Sequence, residues 1–242
     1  MEFYKHGVDL STSTGAVPRR ARQQRSRATE AKIISAATEL FVRDGYAATT
    51  MAAIAAAAQV SVQSLYLRFA GKLDILAAAL DVAIVGDTQP VPLLKRPWFA
   101  RLRGTGDGPA AVRLFVRQVA SILARSRPLY AVVLMAGDEA RELLVANKAQ
   151  RYDGVLAVAR VLATKPGFAA SLGPQVAADL LYALLSEEQY GLLVGERGWT
   201  AATWRSWTTE VLTRELFPAA AAPRRPAGGL PDGVARSVAA GQ

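Results

Sequence analysis

Between Thr50 and Lys72 stand side chains able to hold a polyanion and read the groups along its edge. Thr50 offers a hydroxyl beside helix-end amides, Tyr66 a phenolic donor and Lys72 a compact point charge, which is the chemistry of phosphate contact. Val62, Gln63 and Ser64 open a short segment among them. The Gln63 amide matches the paired donor and acceptor of adenine, and Val62 suits a thymine methyl. Ser61 just before and Arg68 just after complete the set with a hydroxyl and a permanently charged fork. Upstream, Arg19, Arg20, Arg22, Arg25 and Arg27 follow one another with no acidic residue between them. Such a run either keeps a chain in solution or reaches into a neighbouring groove. Arg22 and Arg25 lie nearest the folded part.

The composition points the same way. The 242 residues carry a formal charge of +9, with Arg well ahead of Lys, which suits forked contacts to phosphate and guanine. The chain has no cysteine, which removes disulfides, thiolate metal sites and cysteine nucleophiles. The single histidine, His6, lies in a polar N-terminal stretch, so neither a histidine metal site nor a Ser-His-Asp triad is expected. No catalytic residue, metal or cofactor is assigned. Apolar runs such as Met51 to Ala58 fall well short of the roughly 20 residues that a membrane span needs. Residues 1–20 have no continuous apolar stretch of the kind a secretory signal requires. The expected setting is the cytoplasm, without a membrane partner.

These side chains need helices to position them. Ile33, Ile34, Ala37, Leu40 and Phe41 repeat on one helical face, which ends at Asp44-Gly45. Thr49 or Thr50 can cap a second helix carrying Met51, Ile54 and Ala55, and Ser61 a third carrying Leu65, Tyr66 and Phe69. Lys72 to Val85 forms a fourth, with Leu73, Leu76, Leu80 and Ile84 along one stripe. Ile54, Leu65, Phe69 and Leu76 are expected in the core. Two very short helices flanked by longer ones describe a helix-turn-helix, whose second helix fits a major groove.

The residues also resemble a family. The series Gly45-Tyr46-x-x-Thr49-Thr50-Met51-x-x-Ile54-Ala55-x-x-Ala58-x-Val60-Ser61-x-x-x-Leu65-Tyr66-x-x-Phe69-x-x-Lys72-x-x-Ile75-Leu76 is similar to the signature of tetracycline-repressor (TetR) regulators. The likeness spans residues 27–85. It departs from the family pattern at Gln59, a turn position usually held by Gly, and at Arg68, often His. A non-Gly residue at that turn carries a modest conformational penalty if φ is positive.

The resemblance implies an all-α protein with a three-helix DNA-binding domain and a larger C-terminal helical domain for ligand binding and dimerisation. The expected division is an arm at 1–26, the DNA-binding domain at 27–86, the regulatory domain at 87–217 and a tail at 218–242. Pro90, Pro92 and Pro97 mark the break near residue 86. Helices are expected at Pro109 to Ser126, Pro128 to about Ala146, Lys148 to Ala163, Pro174 to about Gly195 and Ala201 to Phe217. Phe115, Met135, Tyr152 and Tyr182 are candidates to line an apolar ligand site. Leu181, Leu184, Trp204, Trp207 and Val211 are candidates for the dimer interface. The acidic pairs Asp138-Glu139 and Glu187-Glu188 read as solvated. The implied partners are double-stranded DNA, a second copy and a small-molecule effector that releases a repressor from a near-palindromic operator. A DNA-binding dimer that answers to a protein partner, or only dimerises, is the alternative, and a small-molecule enzyme the distant one.

Overall fold

A computed structural model describes residues 19–89 and 91–218. Among them every regular element is helical. Two compact units meet at Ala79 and Leu80. That division lies inside a helix and ahead of the proline-rich break near 86. The physical reason is Arg125, whose guanidinium donates to the Ala83 and Ile84 carbonyls at 2.9 and 3.1 Å and so holds the end of that helix within the second unit. The expected tail, from residue 219 onward, lies outside the described residues.

In the first unit, α1 runs Arg19–Ala48, α2 Met51–Ala57, α3 Val62–Tyr66 and α4 begins the run Lys72–Val85. The flexible arm expected to reach residue 26 is therefore corrected, since its last eight residues are already helical backbone. Arg and Gln are good helix formers, and the run Arg19 to Arg27 holds neither Gly nor Pro to stop propagation from the packed part of α1. The apolar face of α1 is buried as its period requires, with Ile33, Ala37 and Phe41 fully enclosed. Gly45 breaks the helix at φ +81°. Thr49 turns out to be buried and donates its hydroxyl to the Gly45 carbonyl, leaving Thr50 to cap α2 by accepting from the Ala53 amide.

The turn between α2 and α3 explains why position 59 favours glycine. The Gln59 amide donates to the Ala56 carbonyl and the Val60 amide to the Ala55 carbonyl, which together form a Schellman motif. That motif places its first residue past the cap in the left-handed region, and Gln59 stands there at φ +57°. It is the one non-glycine residue at positive φ among those described.

The second unit contains α5 (Pro97–Gly104), α6 (Gly108–Met135), α7 (Arg141–Ala163), α8 (Gly173–Leu184), α9 (Glu187–Tyr190) and α10 (Ala201–Leu216). The separate helices expected on either side of Pro128 are one helix, α6, with Pro128 inside it. An interior proline costs about 3 kcal/mol through the lost hydrogen bond and ring clash. Burial of Leu123, Leu129, Tyr130 and Val133 around it, at about 2 kcal/mol for each large apolar side chain, offsets that cost. The helix then stops at Met135, short of the expected Ala146, and a 3-10 turn, Gly137–Ala140, leads into α7. The single helix expected over Pro174 to Gly195 is also broken. Ser186 accepts from the Gln189 amide and starts α9, which passes into a π-helical turn, Gly191–Glu196.

Replacing Gln59 by Gly removes the left-handed penalty without disturbing either motif hydrogen bond, and is expected to stabilise the first unit by about 1 kcal/mol. Denaturant unfolding followed by circular dichroism measures this, and an unchanged or lower midpoint would count against it.

Candidate nucleic-acid interface and internal cavity

The first unit buries one side of α3 and presents the other. Leu65 and Phe69 are enclosed, whereas Val62, Gln63 and Tyr66 are exposed. Ser61 caps α3 by accepting from the Ser64 amide at 3.0 Å, and its hydroxyl donates to the Ser64 hydroxyl at 2.8 Å. These two serines therefore support the helix start as well as standing on its outer side. Arg68 donates to the Ser64 carbonyl at 3.2 Å, occupying one helix-end acceptor while its exposed guanidinium keeps further donors.

Lys72 is tethered. Its Nζ donates to the Tyr46 carbonyl at 2.7 Å and lies 4.0 Å from the centre of the Tyr46 ring. It thus ties the first turn of α4 to the end of α1, with two ammonium protons remaining for another acceptor. Thr50 is exposed at the start of α2, and Arg25 is exposed on α1. The Arg22 side chain lies outside the described residues.

The second unit encloses a cavity of about 450 Å³. Leu94, Trp98, Phe115, Val119 and Leu123 form much of its apolar wall, with Trp98 stacked on Phe115 at 6.0 Å between ring centres. Polar groups enter from three helices: Asp81 on α4, Asn147, Gln150, Arg151 and Asp153 on α7, and Glu187 on α9. Arg151 and Glu187 form a buried ion pair with N–O 2.5 Å, their side chains 17% and 5% exposed. Arg151 also stands 3.6 Å from Glu188 and 4.2 Å over the Tyr182 ring. Glu188 receives Lys148 at 3.0 Å and the Tyr130 hydroxyl at 2.9 Å.

The cavity walls and this network move two carboxyls in opposite directions. The apolar surroundings of Asp81 raise its carboxyl above the usual carboxylate range, although the group remains reachable by water. For Glu188, desolvation is the strongest single influence and opposes ionisation. Its own backbone amide, Lys148, Tyr130 and Arg151 together outweigh it and hold the carboxyl down to about 2. Desolvation, helped by the hydrogen bond to Glu188, pushes the Tyr130 hydroxyl up.

Residues 33–79 match the family model for bacterial regulatory proteins of the tetR family. A curated relative from Saccharopolyspora erythraea, named an HTH-type transcriptional regulator, is 32% identical over 167 residues, covering 57% of this chain and 66% of its own length. The chain belongs to the tetR family. Among solved structures, NalD of Pseudomonas aeruginosa, the secondary repressor of the MexAB-OprM multidrug efflux pump, shares the fold at TM-score 0.59 and 20% identity, over 80% of this chain and 97% of that one. A complex of SmeT with triclosan shares it at TM-score 0.59 and 18% identity, over 84% and 99%.

In this TetR-family chain the sequence-based cavity residues are dispersed. Phe115 lines the cavity. Met135 is 85% exposed at the end of α6, because the helix terminates there and turns its last residue outward. Tyr152 points its hydroxyl at Asp179 and receives Gln175, and Tyr182 lies beneath Arg151, so neither forms the cavity wall. Two of the dimer candidates need correction as well. Leu181 and Trp204 are fully enclosed in the core of their own chain, where Trp204 meets Tyr190 edge-on and donates to Gln189. Leu184, Trp207 and Val211 remain half-buried. The reading of Glu187-Glu188 as a solvated pair fails for Glu187. Its partner Arg151 lies 36 residues earlier, too far for any helical spacing to reveal.

A carboxyl lowered on folding adds stability above its ordinary value, 4.5 for Glu188, and loses it as pH falls toward the folded value near 2. Glu188→Gln is therefore expected to lower the urea midpoint at neutral pH. The gap from wild type should close between about pH 4.5 and 2, and a pH-independent gap would refute the assignment.

Proposed function

We propose that this chain is a cytoplasmic, homodimeric transcriptional repressor that binds near-palindromic double-stranded DNA and is released by a small molecule held in the second unit. The observation that carries the reading is α3. Five residues long, it buries Leu65 and leaves Val62, Gln63 and Tyr66 facing out, inside the segment that matches the tetR family model. Val62, Gln63 and Ser64 meet base edges at the helix start, while Thr50, Tyr66, Arg68 and Lys72 hold phosphates. Ser61 fixes the helix start from which they act. Arg22 and Arg25, on the early part of α1, reach toward the neighbouring groove.

Two copies of α3 presented about one DNA turn apart read the two halves of the operator. Leu184, Trp207 and Val211 supply apolar surface for the partner copy. The cavity supports the effector part of the reading, being of ligand size with apolar walls and a few polar groups. SmeT, solved with triclosan, has the same fold. An effector that favours a dimer in which the two α3 copies no longer fit successive grooves lowers DNA affinity by the coupling free energy.

Incubating the purified protein with fragmented DNA of its own organism at physiological salt, then sequencing what remains bound, tests this. Enrichment of a near-palindrome is expected, and uniform weak retention would contradict it. On the enriched site, Gln63→Ala is expected to relax preference at one base pair, at a cost of about 1–3 kcal/mol. Arg68→Ala should weaken all sequences alike and reduce the salt slope by about 1. An unchanged slope for Arg68→Ala would remove that residue from the phosphate contacts.

A further inference from the structure

The cavity of the second unit has an unbalanced charge. Among the described residues lining it are three carboxylates, Asp81, Asp153 and Glu187, and one guanidinium, Arg151. Arg151 is already engaged by Glu187 at 2.5 Å and Glu188 at 3.6 Å. Neither Asp81 nor Asp153 has a hydrogen-bond or ion-pair partner among the described residues, and they enter from different helices, α4 and α7. Both are exposed residues that also border the apolar walls, so they stand hydrated where the cavity meets water. A positive charge placed beside them gains attraction without displacing an existing partner.

A metal ion does not meet the need. The described residues include no group of acidic or histidine side chains arranged to hold one, and about 450 Å³ of largely apolar space far exceeds the size of an ion. An anion would face two unneutralised carboxylates with the only guanidinium already paired. A neutral apolar molecule would fill the apolar walls but gain nothing from the two carboxylates. What matches every wall is an organic cation with an apolar body: its charge near Asp81 and Asp153, its hydrocarbon against Leu94, Val119 and Leu123. The stacked Trp98 and Phe115 rings add faces that attract a cation.

We propose that the cavity is a site for lipophilic organic cations, with Asp81 and Asp153 as the residues that select for positive charge. Because Asp81 belongs to α4, the helix that opens with Lys72, a cation held there acts on the same element that ties the end of α1. This inference rests on the reading of the cavity as the effector site, but the two fail separately.

Titration calorimetry on the full chain with decyltrimethylammonium, decanoate and decanol, below their micelle concentrations, compares three head groups on one tail. Tightest binding is expected for the cation. In Asp81→Asn and in Asp153→Asn its affinity should fall about tenfold, and the double variant should lose the preference for cation over alcohol. Decanol binding reports whether the cavity is still formed in each variant. Equal binding of cation and decanoate, tighter binding of decanoate, or a cation preference that survives the double substitution would each overturn the proposal. Cation binding that leaves DNA affinity unchanged would uphold the cation site and overturn only its coupling to DNA.

Discussion

A helix of five residues does not hold its shape in water, because nucleation costs more than one turn of hydrogen bonds returns. Everything that α3 presents depends on solving that problem from outside the helix. Ser61 satisfies the Ser64 amide, Arg68 engages the Ser64 carbonyl, and Leu65 and Phe69 are driven into the three-helix core. The outward side chains of Val62, Gln63 and Tyr66 take no part in this support and are free to meet a ligand. Leu65 and Phe69 hold that surface from beneath without belonging to it, whereas Ser61 and Arg68 support the helix from the exposed side. Lys72 stands between the two roles, since one of its protons fastens α4 to the end of α1 while its charge remains near the surface.

The second unit uses charge differently. Arg151, Glu187, Glu188, Lys148 and Tyr130 connect α6, α7 and α9 through a chain of ionic and hydrogen-bonded contacts, with Arg151 and Glu187 sheltered from water and Lys148 and Glu188 at the surface. Desolvating the Arg151–Glu187 pair is costly, and it is tolerated because each charge faces the other. Asp81 and Asp153 lie outside that mutual compensation although they border the same cavity. The cavity therefore has one wall whose electrostatics are closed and another whose electrostatics are open.

Local signals made the first unit legible from the sequence. The period of Ile33 to Phe41, the hydroxyls at Thr50 and Ser61 and the turn at Gln59 are all set by neighbours within a few residues, and the elements fall where those signals put them. The cavity was far less legible, because its polar lining comes from residues as distant as Asp81 and Glu187. The exposure of Met135 and the burial of Leu181 and Trp204 likewise follow from where helices stop and cross. A helical stripe indicates which residues leave water but not whether they enter their own core or another's. Ser186-Glu187-Glu188-Gln189 has the spacing of a capping box, a local signal that marks the break between α8 and α9.

Gly108, the first residue of α6, has no room for a side chain. A Cβ there would come within 2.1 Å of the Phe217 ring, which closes over it from just beyond the end of α10. Phe217 is itself almost wholly enclosed. The fastening of the last described helix onto the longest one of its unit thus relies on a missing atom, and even a methyl group would have to displace an aromatic ring from the core. A changed side chain in the cavity wall would alter only the space enclosed, whereas one at this glycine would unseat the end of a helix. The closure of the unit thus turns on a contact that meets nothing outside the chain.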